Sequence, residues 1–364
     1  MKPSLDASRI THSLWLGEGE QSIHIIDQTR LPYALETRSI RQLDDICHAI
    51  ISMQVRGAPL IGITAAFGFA FALQDRQQVG AVDDEHVALV AARLLDTRPT
   101  AVNLHWAVAQ VQQAVLAAPL PQRAAVAMDT AKRVRQEDRD MCNAIGEHGF
   151  AILKKLAQHK KGRLNVLTHC NAGWLATSEW GTALAPIYKA HQAGIDVHVW
   201  VDETRPRNQG YLTAWELRQA GVPHTLIVDN SGGHIMQHGL VDVCIVGSDR
   251  TTARGDVCNK IGTYLKALAA HDNHIPFYVA LPSSTIDWSI EDGLREIPIE
   301  ERNAEEVLRI NGVTENGSVT SIHSVPHHTA VANHAFDVTP ARFVTGLITE
   351  QGVFRPEELR KIKA

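Results

Sequence analysis

Val241-Asp-Val-Cys-Ile-Val-Gly247-Ser-Asp249-Arg-Thr-Thr-Ala-Arg-Gly255-Asp-Val-Cys-Asn259-Lys260-Ile-Gly262 is the stretch that decides the fold. Its opening run from Val241 is apolar and β-branched, which suits a strand buried on both faces. Gly247 stops that strand, and a polar loop follows. From Asn259 to Ala270 the apolar residues Ile261, Tyr264, Leu265 and Leu268 fall at helical spacing. The loop therefore lies between the carboxyl end of a strand and the start of a helix, where parallel α/β sheets bind ligands. A merely solvated connection is the plain alternative. The crowding of Asp249, Asn259 and Lys260 argues for a site instead.

Leu164–Thr168, Ile195–Val201, His224–Val228 and Phe277–Leu281 are similar short apolar runs, most of them separated by helical patterns. Gly194, Gly221 and Gly239 fall just before strands, as helix C-cap glycines do. Strands alternating with helices predict a parallel, doubly wound sheet. A further strand pattern lies near Phe343–Ile348. Between these, Pro282–Asp287, Ile297–Arg302 and Ala335–Pro340 read as ordered loops, and Pro356–Ala364 as a terminal helix.

Upstream, His12–Leu16 and Ser22–Ile26 flank Gly17-Glu-Gly19-Glu and predict a small hairpin. Helical patterns follow at Ser39–Ile51, Asp84–Leu95, Thr100–Leu116 and Arg123–Leu156. Another helix starts near Gly57, with Pro59 in its first turn. Its small residues Gly62, Ala65, Ala66 and Gly68 invite a closely packed neighbour. The expected fold class is α/β. A mostly helical N-terminal domain (1–125) carries a small β hairpin, and a Rossmann-like parallel sheet forms the C-terminal domain (126–364). With no Pro/Gly/Ser-rich linker, the two are expected to pack as one body.

The chain has 364 residues, 45% of them apolar, and a net charge of -5. No Lys/Arg run is dense enough for a nucleic-acid footprint. Cysteines 47, 142, 170, 244 and 258 form no Cys-x-x-Cys pair, so neither a zinc site nor a disulfide framework is expected. Unpaired thiols fit a reducing cytoplasm. There is no apolar signal core, and no run reads as a membrane span. No His-Glu-x-x-His occurs among the 19 histidines. The absence of Gly-x-Gly-x-x-Gly after any strand, of a nucleotide phosphate-binding loop and of Gly-x-Ser-x-Gly disfavours hydride transfer to a bound cofactor, ATP hydrolysis and serine esterase chemistry.

Four features point to chemistry. Cys170, in Thr168-His-Cys170-Asn-Ala-Gly173, ends the first strand of the sheet. Adjacent amides can lower such a thiol's pKa, although a buried, inert thiol fits the bare residues equally well. Asp249 ends an equivalent strand, and alone it is a helix cap or ion-pair partner. Arg56-Gly57-Ala58-Pro59 offers free helix-start amides beside a guanidinium, a cradle for an anion or simply a helix start. Arg205-Pro-Arg207-Asn208-Gln209-Gly210 adds cationic and amide groups after the second strand. Together they suggest a small anionic ligand, a phosphate ester, with an acid/base pair and no metal.

These segments, with Thr97-Arg98-Pro-Thr-Ala-Val-Asn103-Leu104 and Gly255-Asp-Val-Cys-Asn259-Lys260-Ile-Gly-Thr, resemble the methylthioribose-1-phosphate isomerases. That family includes the initiation factor 2B regulatory subunits. The resemblance runs from the hairpin to about residue 352. It implies an isomerase that converts 5-methylthioribose 1-phosphate to 5-methylthioribulose 1-phosphate in methionine salvage. It further implies a cytoplasmic homodimer with no cofactor. By motif, Cys170 and Asp249 are the catalytic pair, and Arg56, Gly57, Ala58, Arg98, Gln209, Asn259 and Lys260 hold the substrate. Ser248, Arg254 and Asn230–His234 depart from commoner family residues and bear on the 5-substituent. Hence 5-deoxyribose 1-phosphate or another 5-substituted ribose 1-phosphate stays open as substrate. So do ribose 1,5-bisphosphate and the role of a non-catalytic regulatory subunit.

Overall fold

A computed structural model of the chain describes residues 12–326 and 328–362. The N-terminal hairpin gains a third strand, giving an antiparallel sheet of β1 (Leu14–Leu16), β2 (Ile23–Ile26) and β3 (Thr37–Ile40). Ser39 and Ile40 thus belong to a strand, and helix α1 starts later than expected, spanning Leu43–Ile51. Ile40 closes the sheet onto the core, which a helical reading of its spacing could not anticipate.

Helices α2 (Ala58–Val79), α3 (Asp84–Leu95), α4 (Val102–Ala117) and α5 (Arg123–His159) complete the helical part. α2 is apolar on every side, with Phe67, Phe69 and Phe71 fully buried, so it is a core helix wrapped by its neighbours. A Cβ on Gly62 would lie 2.6 Å from the Asn103 carbonyl oxygen, so the glycine sets how closely α4 approaches. By length and composition α2 could cross a membrane, which corrects the sequence reading, but most of its surface is covered by protein. α5 contributes Ala124 to Val134 to this core and Ile145 and Leu153 to the core beneath the large sheet.

The sheet has seven strands in the order β16-β15-β10-β7-β4-β5-β6. These are β4 (Leu164–Thr168), β5 (Val197–Asp202), β6 (His224–Ile227), β7 (Val243–Val246), β10 (Phe277–Ala280), β15 (Gly346–Thr349) and β16 (Gly352–Phe354). All neighbours are parallel except β16, which returns antiparallel along β15. Helices α6 (Ala185–Gln192), α7 (Gln209–Gln219), α8 (Ser231–Gln237) and α9 (Thr263–Asp272) connect the strands. The chain runs from β4 outward through β5 and β6, then returns to β7 on the other side of β4. The β4/β7 boundary is therefore the topological switch point, and a crevice opens at the carboxyl ends there.

The stretch that decides the fold departs from its reading beyond Asp249. Instead of a loop and a helix start, it forms β8 (Arg250–Thr252) and β9 (Val257–Lys260), an antiparallel hairpin. Asn259 and Lys260 sit on β9, and α9 begins only at Thr263. The hairpin belongs to a four-stranded sheet with β11 (Ile286–Asp287) and β14 (Phe336–Thr339), in the order β11-β8-β9-β14. Pro282–Asp287 and Ala335–Pro340 are thus partly strand, recruited by distant pairing. An exposed hairpin of β12 (Arg309–Val313) and β13 (Val319–His323) went unread in the sequence. At the C-terminus Pro356–Lys361 is a 3-10 turn, and the last two residues of the expected helix lie outside the described residues.

Candidate functional site

One cavity of about 110 Å3 opens at the switch point, and the nine residues given catalytic or substrate-holding roles by the family motifs all line it. Cys170 enters from the end of β4 and Asp249 from the end of the adjacent β7, so the pair straddles the crevice. Arg56, Gly57 and Ala58 come from the start of α2 and Arg98 from the turn before α4. Gln209 opens α7, while Asn259 and Lys260 close the ring from β9. That volume admits a small molecule, not a polymer.

The α2 start has the geometry of an anion cradle. Gly57 is the N-cap with φ 96°, and a Cβ there would lie 2.4 Å from Ala176 Cα. Only glycine meets both conditions. The amides that open a helix have no intrahelical acceptor, and they carry the positive end of its dipole. Arg56, Arg98 and Lys260 bring three guanidinium or ammonium groups to the same cavity. Lys260 Nζ donates to the Ala335 carbonyl at 3.0 Å and lies 4.3 Å from the Phe336 ring centre. Burial lowers the pKa of both Arg56 and Lys260, while Cys170 and Asp249 pull them back up. An incoming anion would stabilise both cations.

Burial also sets the acid/base pair. It pushes Asp249 above the ordinary carboxylate range, against the lowering pull of Lys260, Arg98 and Arg56. It raises the Cys170 thiol too, and the Arg56 and Lys260 charges only partly oppose it. The lowered thiol pKa expected from nearby amides is therefore not found, because desolvation outweighs the cations. Desolvation thus favours the protonated form of both groups. Cys170 has a left-handed backbone, with φ 67°, rare for a residue with a side chain. Its amide donates to Thr204 Oγ1 at 2.9 Å and its carbonyl accepts from Thr213 Oγ1 at 2.7 Å.

Not every expected group reaches the cavity. Arg205 instead donates to the Val307 carbonyl at 3.0 Å, and Arg207 pairs with Glu306 at 2.8 Å. Among the departures from the family pattern, Ser248 lines the cavity, and exposed Arg254 pairs with Glu291 away from it. Sequence reasoning missed Asn171, which accepts from Arg56 Nη1 at 2.8 Å, although it lay inside a quoted motif. His169, Asp202 and Asp229 bring possible metal-ligand atoms within 4.8 Å of one another. There the Asp202 carboxylate is already shared by His169 Nδ1 at 2.8 Å and the Lys266 ammonium at 3.2 Å. An internal cation thus stands where a metal would.

The chain has clear relatives. Methylthioribose-1-phosphate isomerase of Methylorubrum populi is 60% identical over 337 residues, covering 92% of this chain and 91% of that protein. The protein of the same name from Rhodospirillum rubrum is 57% identical over 350 residues, covering 94% of this chain and 88% of that protein. The crystal structure of 5-methylthioribose 1-phosphate isomerase from Pyrococcus horikoshii superposes with a TM-score of 0.82 at 36% identity, covering 98% of this chain and 96% of that one. One described as translation initiation factor eIF-2B, subunit delta, from A. fulgidus gives 0.79 at 38% identity, covering 97% and 99%. The family model of the Initiation factor 2 subunit family matches residues 54–356. With that match spanning most of its length, the chain belongs to the Initiation factor 2 subunit family, alongside methylthioribose-1-phosphate isomerases.

Proposed function

We propose that this chain is an aldose–ketose isomerase converting 5-methylthioribose 1-phosphate to 5-methylthioribulose 1-phosphate, a step of methionine salvage. The observation that carries the reading is one cavity in which an anion cradle faces a thiol and a carboxyl group at adjacent strand ends, both half-buried and both with pKa raised by desolvation. The names of relatives 57–60% identical along most of the chain support the same reading.

In this reading Arg56, the amides of Gly57 and Ala58, and Arg98 hold the 1-phosphate. Gln209, Asn259 and Lys260 hold the sugar hydroxyls and the remaining charge. The anomeric oxygen carries the phosphate, so the ring cannot open through a free aldehyde. Asp249, kept toward its acid form by burial, donates a proton to the ring oxygen as its bond to C1 breaks. Hydrogen then moves from C2 to C1. With its pKa raised, Cys170 rests as a thiol, which suits it to shape the pocket and shuttle a hydroxyl proton while hydride shifts directly. As a thiolate base it would first have to lose its proton.

The finer parts of the proposal are a homodimer in the cytoplasm and a domain division at residue 125. That division falls inside α5, the helix shared by both cores. Turnover against a panel of 5-substituted ribose 1-phosphates tests the reading. The methylthio substrate is expected to be preferred over 5-deoxyribose 1-phosphate and ribose 1,5-bisphosphate. Tight binding without turnover of any member would instead make the chain a sugar-phosphate-sensing regulatory subunit.

A further inference from the structure

Helix α7 carries Gln209, Thr213 and Glu216 at i, i+4 and i+7, hence on one face. All three are buried. Gln209 lines the cavity, and Thr213 holds the Cys170 carbonyl. Glu216 is fully buried, and its hydrogen-bond partners are uncharged: Asn171 Nδ2 at 2.7 Å, the Tyr188 hydroxyl at 3.0 Å and the Leu175 amide at 3.4 Å. A buried carboxyl group without a cation in contact is costly to ionise. The fold nevertheless makes room for it, since a Cβ on Gly173 would lie 2.2 Å from Glu216 Oε2.

The use of that group follows from donor and acceptor chemistry. The amide nitrogen of Asn171 can only donate, and it is given to Glu216 and, at 3.2 Å, to Thr213 Oγ1. Its oxygen, which can only accept, must then face the other way. There it meets Arg56 Nη1 at 2.8 Å, while Arg56 Nη2 donates to the Asn171 carbonyl at 3.1 Å. Flipping the amide would turn a donor toward a guanidinium that has no acceptor. We propose that Glu216, acting through Asn171, is a positioning residue that aims Arg56 at the anionic group of the ligand. This rests on the reading of Arg56 as a phosphate holder and adds the residue that orients it.

Glu216→Leu removes the acceptor at similar volume, and Asn171→Ala removes the relay. Each is expected to raise KM for 5-methylthioribose 1-phosphate about 10-fold or more with kcat changed less than about 3-fold, the signature of lost uniform binding. Glu216→Gln keeps an acceptor oxygen and should stay within about 3-fold of the parent KM. The double variant should be no worse than Asn171→Ala alone, because the two act in series. A KM within about 2-fold of the parent for Asn171→Ala, or additive effects in the double variant, overturns the proposal. Should Glu216→Leu not fold, Glu216→Met, which likewise lacks an acceptor oxygen, replaces it, and a KM within about 2-fold of the parent in that variant overturns the proposal. Inorganic phosphate affinity, measured by calorimetry on parent and variants, separates the two readings. A parent without turnover sinks the substrate assignment, while weakened phosphate binding in the variants would still support the relay.

Discussion

Arg98, which lines the cavity, faces Glu300 with Nη2 and Oε2 3.5 Å apart, and neither Arg98 Nε nor Glu300 Oε2 makes a hydrogen bond, while Glu300 Oε1 accepts from Arg302 Nη1 at 2.7 Å. Such a loose pair holds the guanidinium near the site without satisfying it. A phosphate offers shorter, charge-assisted bonds and displaces the carboxylate. With Arg98 as the proposed anion holder, Glu300 would compete with the ligand and also repel it. Glu300→Gln is expected to tighten substrate binding by about 3- to 10-fold, on the order of 1 kcal/mol, as partly exposed charge pairs allow. Unchanged or weaker binding in a titration would remove Arg98 from the anion site.

Arg56, the proposed phosphate holder, is tied to Asn171 at two points, which fixes its guanidinium before an anion arrives. Arg56→Ala should weaken substrate or product binding by about 2–3 kcal/mol, the scale for removing a charge-assisted contact. A liganded structure with the phosphate far from residue 56 would contradict this outright.

These expectations trace back unequally to the sequence. Cys170 and Asp249 were legible because each follows a short β-branched run, and strand ends in a parallel sheet point to a shared edge. That the two strands are neighbours was not legible, since adjacency of β4 and β7 is set by the chain's return across the sheet. Asn259 and Lys260 read as site residues in the sequence and do line the cavity, but the sequence placed them on a helix start. Their strand identity comes from pairing with Phe336 and Asp337, which no local window contains. Glu216 is the opposite case. A lone glutamate in a helix normally reads as solvent-facing, and only its place one face-turn beyond Gln209 and Thr213 hints otherwise.

The proposed acid and thiol roles make a prediction about hydrogen transfer. Asp249→Asn removes the acid and should lower kcat by about 10²-fold or more, the range for general acid catalysis, with product binding retained. Cys170→Ser should also lose most turnover, because a hydroxyl neither fills the sulfur's space nor matches its acidity. Near-normal kcat in either variant would strike that residue from the mechanism. In heavy water, direct hydride shift gives product without solvent deuterium at C1. Deuterium found there would restore Cys170 as a base acting through the thiolate.

Glu216 should also leave a mark on stability, independent of any substrate. Burial raises its pKa from the ordinary glutamate value of 4.5 to about 7. In the folded chain it therefore keeps its proton over a range in which the unfolded chain has lost it. Stability falls with pH wherever the folded state binds more protons. This contribution is complete below about 4.5 and is lost as pH rises through about 7. Across that interval the loss is roughly 3 kcal/mol at 1.36 kcal/mol per pH unit. Glu216→Gln cannot titrate, so its unfolding free energy should hold up better as pH rises. Denaturant melts of parent and Glu216→Gln at pH 5 and pH 8 compare the two directly. The stability difference should move in favour of the variant by about 2–3 kcal/mol between those pH values. A difference that stays constant would mean that Glu216 titrates in the folded chain as it does in the unfolded one.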